Sequence, residues 1–338
     1  MTTLAGRARS GAIVVAIGLA LIATGCSSSA KHRTAAPATR HGSAMSTPSG
    51  SASPGASALR VSLHRIARLP SPLQDPAVAS EGQSAYALGG LDAADASVST
   101  VFRVTPGSVT SIGHLALPTH DAAAAVLPDG VFLFGGGHLT SYRTIERLDP
   151  ATGSVTTVAQ LPVPLSDVSV AVSGTTAYIV GGYTGTTFSD RILSFSSGHV
   201  QVAGHLPQGL RYTAVATLGQ SIVIAGGLSV SGATKNIYRF SPTTGAVTKI
   251  GVLPHPLMHA SAGVLDGVMC IAGGLDKGLA PRREILAVRA DGSVHRAGTL
   301  PQPLSDAGVT TVGDRLIVIG GRGEAGPVSS VLSVQAAP

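Results

Sequence analysis

The sequence predicts an all-β fold, a six-bladed β-propeller, and regular spacings carry this prediction. A Gly-Gly pair recurs at steps of 46, 46, 45, 47 and 47 residues, at Gly89-Gly90, Gly135-Gly136, Gly181-Gly182, Gly226-Gly227, Gly273-Gly274 and Gly320-Gly321. A Leu-Pro pair keeps step with it, at Leu69-Pro70, Leu117-Pro118, Leu161-Pro162, Leu206-Pro207, Leu253-Pro254 and Leu300-Pro301. A period in the forties, with strand-like residues before each glycine pair, is typical of a propeller with one repeat per four-stranded blade.

A third spacing is invariant. Fifteen residues before the second glycine of each pair stand Asp75, Asp121, Asp167, Tyr212, His259 and Asp306. Because loops tolerate changes of length, a constant offset indicates two neighbouring strands joined by a tight turn. Each of these six residues, which we call the ring residues, is predicted at the start of an innermost strand and at the rim of the central channel.

Within a repeat, four strands, a to d, follow in order. Strand a is small and apolar, as in 122–127, and strand b is a continuous apolar run such as 131–135, which suits a strand buried on both faces. Strand c alternates, as in 145–150, and a Pro-x-Thr-Gly turn joins it to strand d at 154–160. Leu-Pro follows strand d, where proline fits because the chain leaves the ladder.

The two ends of the repeat region complete the count of strands. The last repeat stops after strand c, at 328–334, and an additional strand at 59–67 matches strand d. Strand d of the sixth blade is therefore predicted to come from the N-terminal side, so that the ring closes and only short outer edges remain. Residues 59–338 are predicted to form one domain with an ample core.

The repeat resembles the Kelch family. The segment IERLDPATGSVTTVAQLP at 145–162, followed by Gly181-Gly182, is similar to that family's Gly-Gly, V-E-R-Y-D-P-x-T and W-x5-L-P pattern. Val155 and Val247 replace the Kelch tryptophan, and we expect valine to fill the same layer between blades. The arginine usual after Leu-Pro becomes leucine in most repeats, at Leu73, Leu165, Leu210, Leu257 and Leu304.

The N-terminal segment predicts that the protein is located outside the cytoplasm. Residues 1–25 read as a lipoprotein signal peptide, with Arg7 and Arg9 before a short apolar stretch. The sequence Ala-Thr-Gly-Cys ending at Cys26 resembles a lipobox, which implies cleavage before Cys26, its lipidation (palmitate included), and attachment to the outer face of a bacterial cell membrane. The alternative is an ordinary secretory signal with an incidental cysteine. Residues 26–58 are rich in Ser, Ala, Thr and Pro and are predicted to be a disordered tether.

Charge argues against a nucleic-acid partner. The chain has 23 basic and 17 acidic residues, but five basic residues and no acidic ones precede the propeller, which leaves a formal charge of +1 for residues 59–338. A near-neutral domain lacks the basic surface of a nucleic-acid-binding protein. Cys270 is predicted to be a buried free thiol, and a monomer is the expected state because propellers bury their own edges.

The loops predict where binding occurs. In a propeller the b-c and d-a connections share one face, and here the b-c segments are the longest and most varied. Variable loops on a rigid scaffold usually carry specificity. Exposed candidates in the b-c loops are Asp92, His138, Tyr183, Lys277, Arg322 and Glu324. Since no catalytic motif is found, we expect a non-enzymatic module that binds a protein or peptide of the cell envelope on this face.

The ring residues leave two interpretations open. Four aspartates at a channel rim could hold a divalent cation or a basic or polyhydroxylated ligand, or each could cap the turn that enters strand a. In the first case the protein could be an enzyme acting on a small sugar-like substrate, with the aspartates and His259 as acid, base or metal-holding groups. Kelch-type propellers include galactose oxidase-like copper enzymes and sialic-acid epimerases, but the Tyr–Cys pair of the oxidases is not evident here. No cofactor is otherwise expected.

Overall fold

The computed structural model describes residues 58–338, which form an all-β structure of six four-stranded antiparallel sheets. The predicted six-bladed propeller is confirmed. The predicted signal peptide, Cys26 and the tether up to residue 57 lie outside the described residues. Residues 58–338 contain no helix able to span a bilayer.

The bounds of the strands follow the predicted repeat to within one or two residues. The a strands are Ala77–Glu81 (β2), Ala123–Leu127 (β6), Ser169–Ser173 (β10), Ala214–Leu218 (β14), Ser261–Leu265 (β20) and Gly308–Val312 (β24). The b strands are Ser84–Leu88 (β3), Gly130–Phe134 (β7), Thr176–Val180 (β11), Ser221–Ala225 (β15), Val268–Ala272 (β21) and Arg315–Ile319 (β25). The c strands are Thr100–Thr105 (β4), Thr144–Leu148 (β8), Arg191–Ser196 (β12), Asn236–Phe240 (β18), Arg282–Val288 (β22) and Ser330–Ala336 (β28). The d strands are Ser108–His114 (β5), Val155–Gln160 (β9), His199–His205 (β13), Val247–Val252 (β19), Val294–Leu304 (β23) and Val61–Arg68 (β1).

The strands of each blade lie in the order a, b, c, d from the centre outward. Neighbouring a strands contact one another around the ring, and their residues line a cavity at each end of the central channel. Strand a is small and apolar because six of these strands must converge there. The start of every a strand therefore stands at one channel mouth.

The core consists of six hydrophobic clusters, each between two adjacent blades. Strand b serves two clusters, because alternate side chains point to opposite faces. In β7 of blade 2 (β6–β9), Val131 and Leu133 pack towards blade 1 (β2–β5), whereas Phe132 and Phe134 pack towards blade 3 (β10–β13). This explains why b strands are apolar throughout. Val155 and Val247 pack against two of these clusters, which confirms that valine fills the layer between blades.

The Gly-Gly pair joins each blade to the next through a close backbone contact, which we call the Gly-Gly lock. The N–H of Gly182 donates to the carbonyl of Leu210 in the following blade at 2.8 Å. A Cβ on Gly181 would lie 2.2 Å from that same carbonyl oxygen, and Gly181 has a φ of 65°. Only glycine permits both the left-handed backbone and this close approach. The same contact recurs in the other five blades, which accounts for the period of the sequence.

The ring closes as predicted. β1 pairs antiparallel with β28, from Val61 opposite Ala336 to Arg68 opposite Ser330, and β28 pairs in turn with β25. The sixth blade thus contains the first and the last strand of the propeller. Residues 58–338 lie within one compact unit.

Three details differ from the sequence-based expectation. Leu117-Pro118 is out of register, because Leu115 takes the buried place of the other leucines and Leu117 is exposed. In the fifth blade, β23 continues through Pro301 to Leu304, and a register shift accommodates the proline. Two of the b-c loops contain short two-stranded ribbons that were not predicted: Leu228–Ser229 (β16) with Gly232–Ala233 (β17), and Arg322–Gly323 (β26) with Gly326–Pro327 (β27).

Candidate functional site

The six ring residues share a left-handed backbone conformation. Their φ angles lie between 53° and 57°. Asp and His tolerate this region better than most residues, so the conformation itself favours the residue types found in five of the six blades. Tyr212 is the exception, since a bulky side chain is uncommon at such an angle. Backbone strain of this kind tends to occur at functional sites.

Hydrogen bonds link the ring residues from blade to blade. The N–H groups of Asp75, Asp167, Tyr212 and Asp306 donate to the carbonyl of the preceding ring residue, at 2.6 to 3.2 Å. The N–H of Asp121 donates instead to Oδ2 of Asp75 at 2.9 Å. Between the remaining neighbours, Tyr212 and His259, the two side-chain rings stack, with centroids 3.5 Å apart. Backbone and side-chain contacts together therefore link all six ring residues around the channel mouth.

The aspartates are not local turn caps. Asp75 accepts a backbone N–H, but it comes from the next blade. Asp167 accepts from Nη1 of Arg211 at 2.7 Å, and Asp306 contacts Nδ1 of His259 at 2.5 Å. These contacts of Asp75, Asp167 and Asp306 do not support the turn-cap interpretation, and the feature common to all six positions is the left-handed backbone.

Three carboxyl groups meet on one side of the mouth. Asp121 lies within side-chain hydrogen-bonding reach of both Asp75 and Asp167. Burial, followed by the charges of Asp121 and Asp306, raises the pKa of Asp75 well above its usual range. Burial and the nearby Asp121 raise the pKa of Asp167 to about 7, even though Arg211 acts in the opposite direction. Carboxyl groups this close favour sharing protons over full ionisation.

On the other side of the mouth, a chain of polar groups orients His259. Oγ of Ser305 donates to Oδ2 of Asp306 at 2.6 Å, and Oδ1 of Asp306 contacts Nδ1 of His259 at 2.5 Å. Tyr212 stacks on the imidazole, and burial together with nearby carboxylates raises the pKa of the Tyr212 hydroxyl. An imidazole held in this way through Nδ1 can exchange a proton through Nε2.

Arg211 belongs to the site, although the predictions from the sequence do not include it. Its guanidinium lies 4.7 Å from the ring centre of Phe188, 4.9 Å from Tyr212 and 5.2 Å from Tyr183, besides its bond to Asp167. Such stacking on aromatic rings is favourable. The residue just before each ring residue bridges to the start of the b-c loop, as Arg211 does with Leu228. The position immediately before each ring residue is therefore also fixed in the repeat, and this regularity is the feature of the sequence that could have indicated Arg211.

The ring residues line a cavity of about 130 Å³ at the channel mouth, together with the first residues of the a strands. At the opposite end, a wider cavity of about 570 Å³ is lined mainly by Ala, Val, Ser and Thr side chains. All six predicted ring residues are thus brought together. Within residues 58–338, no group of three or more His, Cys, Asp or Glu is arranged to hold a metal ion.

The b-c loop candidates have different environments. His138, Lys277 and Glu324 are exposed as expected, whereas Asp92, Tyr183 and Arg322 are half-buried. Asp92 shapes its own loop, because its Oδ1 accepts the N–H groups of Ala94 and Ala96.

Arg322 and His138 connect loops of neighbouring blades. Nη1 of Arg322 donates to Oε1 of Gln74 at 3.0 Å and to Oδ1 of Asp95 at 2.8 Å. Nδ1 of His138 and Nδ1 of His120 each lie 2.8 Å from Oγ of Ser97. These contacts order the loop face around the mouth.

Large hydrophobic side chains are exposed on this face. Leu139, Val230 and Leu279, at the tips of three b-c loops, are 88%, 86% and 66% exposed, and Leu117 in a d-a connection is 51% exposed. The other exposed large hydrophobic residues among 58–338 are Val158, Val202 and Val252, on outer d strands. The turns of the opposite face therefore present no such residue within the described chain.

Cys270 lies outside the site. It is a free, fully buried cysteine in β21, and burial raises the pKa of its thiol to about 12. Its prediction as a buried free thiol is confirmed. Such a thiol is inert at neutral pH.

Comparisons with known proteins establish the fold. No family model and no curated protein match the chain, whereas 802 chains of solved structures do. One of them, a structure of YjhT, has a TM-score of 0.70 at 17% identity, over 79% of this chain and 99% of that chain. The likeness shows a β-propeller. At this identity it carries the fold and leaves the ligand open.

Proposed function

We propose that this protein is a binding module of the bacterial cell envelope, which holds a protein or peptide partner on the face formed by the b-c and d-a loops. The observation that carries the proposal is the distribution of Leu117, Leu139, Val230 and Leu279. Every exposed large hydrophobic side chain outside the d strands of residues 58–338 lies on this face. Large apolar side chains exposed at the loop tips of one face, with none in the turns of the opposite face of residues 58–338, favour the loop face as the interaction surface.

We further propose that the propeller is of the Kelch type. This assignment is supported by the repeat, in which the Asp-Pro turn after β8 is tied by hydrogen bonds: Oδ1 of Asp149 accepts the N–H of Ala151, and the carbonyl of Asp149 accepts that of Gly153. The Gly-Gly lock and the strand order agree with the same assignment.

We also propose a cellular location on the basis of the N-terminal segment, residues 1–58. Residues 1–25 direct export and Cys26 becomes the lipidated first residue, with 26–58 as the tether. A Cys26→Ser change should release the exported protein from the membrane fraction and abolish its labelling by a palmitate analogue. Unchanged labelling of that variant would contradict the anchor.

A second candidate function is favoured by the chemistry of the mouth. A polar cavity with His259 held by Asp306, together with two carboxyl groups of raised pKa, is the kind of cluster in which enzymes place acid and base groups. A small sugar-like ligand could be bound or converted there.

Site-specific photocrosslinking in intact cells tests the binding face. A photoreactive residue is placed at Leu139 or Val230, and in matched controls at Val158 or Val202, which are also exposed but lie on d strands. We expect discrete cross-linked species from the two loop positions and none from the controls. Cross-links only from the d strands, or none from the loops, would contradict a partner on this face.

A further inference from the structure

We propose that the partner of the loop face places a lysine or arginine side chain in the channel mouth while its neighbouring apolar residues contact the loop tips. The inference rests on the proposed binding function and names the chemistry of the partner. Two independent features carry it, the apolar and aromatic surface of blades 2 to 4 and the unbalanced charge of the mouth beside it.

The apolar surface comes from loops of three consecutive blades. Leu139 projects from the loop of blade 2 and Val230 from the β16–β17 ribbon of blade 4. Between them, Tyr183 and Phe188 of blade 3 pack edge to face at 5.9 Å, and Arg211 lies over both rings. Aromatic residues and arginine dominate the energetics of protein interfaces. An extended segment with apolar side chains is therefore a suitable occupant of this sector.

The charge of the mouth is incompletely balanced within the molecule. Arg211 pairs with Asp167, and His259 contacts Asp306. Asp75 contacts no lysine or arginine in residues 58–338, and the partner of Asp121 is the His120 imidazole at 3.4 Å. A cationic group from outside would complement these two carboxyl groups, and such complementarity fixes the register of a bound partner.

The burial of Asp75 is a further physical reason to expect a cationic group at the mouth. Burying a carboxylate without a counter-charge is costly, which is why the pKa of Asp75 is raised. A guanidinium or ammonium group at the mouth would favour the ionised form and offset that cost. The cavity of about 130 Å³ is smaller than the roughly 300–1,000 Å³ of small-molecule sites, so it fits the end of a side chain better than a larger ligand.

A lipid surface is the competing occupant of exposed loop tips. Anionic headgroups attract basic segments, whereas the centre of this face carries Asp75 and Asp121 without a lysine or arginine partner, beside the Asp167–Arg211 and Asp306–His259 pairs. The charge at the mouth therefore favours a basic peptide over a membrane.

Selection from a random dodecapeptide phage library tests the proposal, with the propeller (56–338) as bait because its ring closes within those residues. We expect enriched peptides in which a lysine or arginine adjoins apolar residues. For one enriched peptide, changing that residue to norleucine should weaken binding at least about tenfold, and so should Asp75→Asn with Asp121→Asn in the protein. Asparagine tolerates the same left-handed backbone, and matching melting curves verify folding.

The remaining outcomes separate the inference from the function beneath it. Peptides without a basic residue whose binding is lost with Leu139→Ser and Val230→Ser would overturn the inference and keep the binding face. No enrichment would overturn both. Sedimentation with vesicles that contain 30% phosphatidylserine, lost in the same serine variants, would replace the peptide by a membrane surface.

Discussion

The individual ring residue obeys two constraints at once. Its backbone must be left-handed, which favours Asp and His, and its side chain must find a partner at a crowded mouth. The sequence predicts where these residues stand because their offset from Gly-Gly is fixed. It does not predict that Arg211 pairs with Asp167 or that Ser305 donates to Asp306, since those contacts depend on how neighbouring blades meet.

Asp167 should make stability fall as the pH rises. Its side chain is only 2% exposed, and its pKa is about 7 instead of 3.8. The folded state therefore binds this proton more tightly than the unfolded state, so the free energy of unfolding decreases between about pH 4 and pH 7. We expect Asp167→Asn to remove roughly 3 to 4 kcal/mol of this decrease, measured by thermal and urea unfolding across that range.

Asp314→Asn is the matched control, since Asp314 is 75% exposed beside Arg315. It should leave the pH profile of the wild type unchanged. If the Asp167→Asn curve runs parallel to the wild-type curve, the raised pKa of Asp167 is wrong.

At the scale of the element, the predicted strands agree with the structure because strand b is buried on both faces and tight turns fix its neighbours. The prediction fails where that constraint ends. Leu117-Pro118 matches the Leu-Pro pattern, but Ala116 occupies the proline position and Leu115 the core. The ribbons β16–β17 and β26–β27 have two residues per strand, too few for an alternating pattern to be read.

The Gly-Gly lock can be tested with two glycines of nearly equal φ. Gly181 and Gly174 have φ angles of 65° and 61°, but a Cβ on Gly181 would lie 2.2 Å from the Leu210 carbonyl, whereas one on Gly174 meets nothing within 4 Å. We expect Gly174→Ala to lower the free energy of unfolding by about 1 kcal/mol. Gly181→Ala should cost at least about 3 kcal/mol, because overpacking adds to the strain.

Urea unfolding of both variants measures the difference between their free energies of unfolding. Because the two backbone angles are nearly equal, this difference reports the contact between blades. Equal losses in the two variants would show that the close approach to Leu210 contributes nothing.

For the whole molecule, ring closure was predictable because the repeats left one strand missing at one end and one extra strand at the other. The identity of the partner was not, since a propeller presents a similar frame to many ligands. The fold therefore follows from spacing, whereas the loop face follows from residues that vary between repeats.

Closure predicts how the propeller responds to rearrangement. Removing 58–68 deletes β1 and leaves β28 with an open edge, so we expect loss of the cooperative thermal transition. A circular permutant that begins at Leu69 and joins Pro338 to Leu59 through a short Gly-containing turn keeps the pairing of Val61 with Ala336. It should melt within a few degrees of the wild type.

Thermal melts and limited proteolysis distinguish the two chains. A truncated chain that melts like the wild type would show that β1 is dispensable. A permutant that fails to fold would show that chain order, beyond strand pairing, is required.

The pairing of β1 with β28 also has a consequence for biogenesis. β1 is the first strand of the propeller to be synthesised, and the partner that completes its blade, β28, is the last. Until Ser330–Ala336 emerges, β1 has no neighbour in its sheet, and the ring cannot close however many blades have formed. Closure of the propeller is thereby deferred until its last strand, β28, has been synthesised.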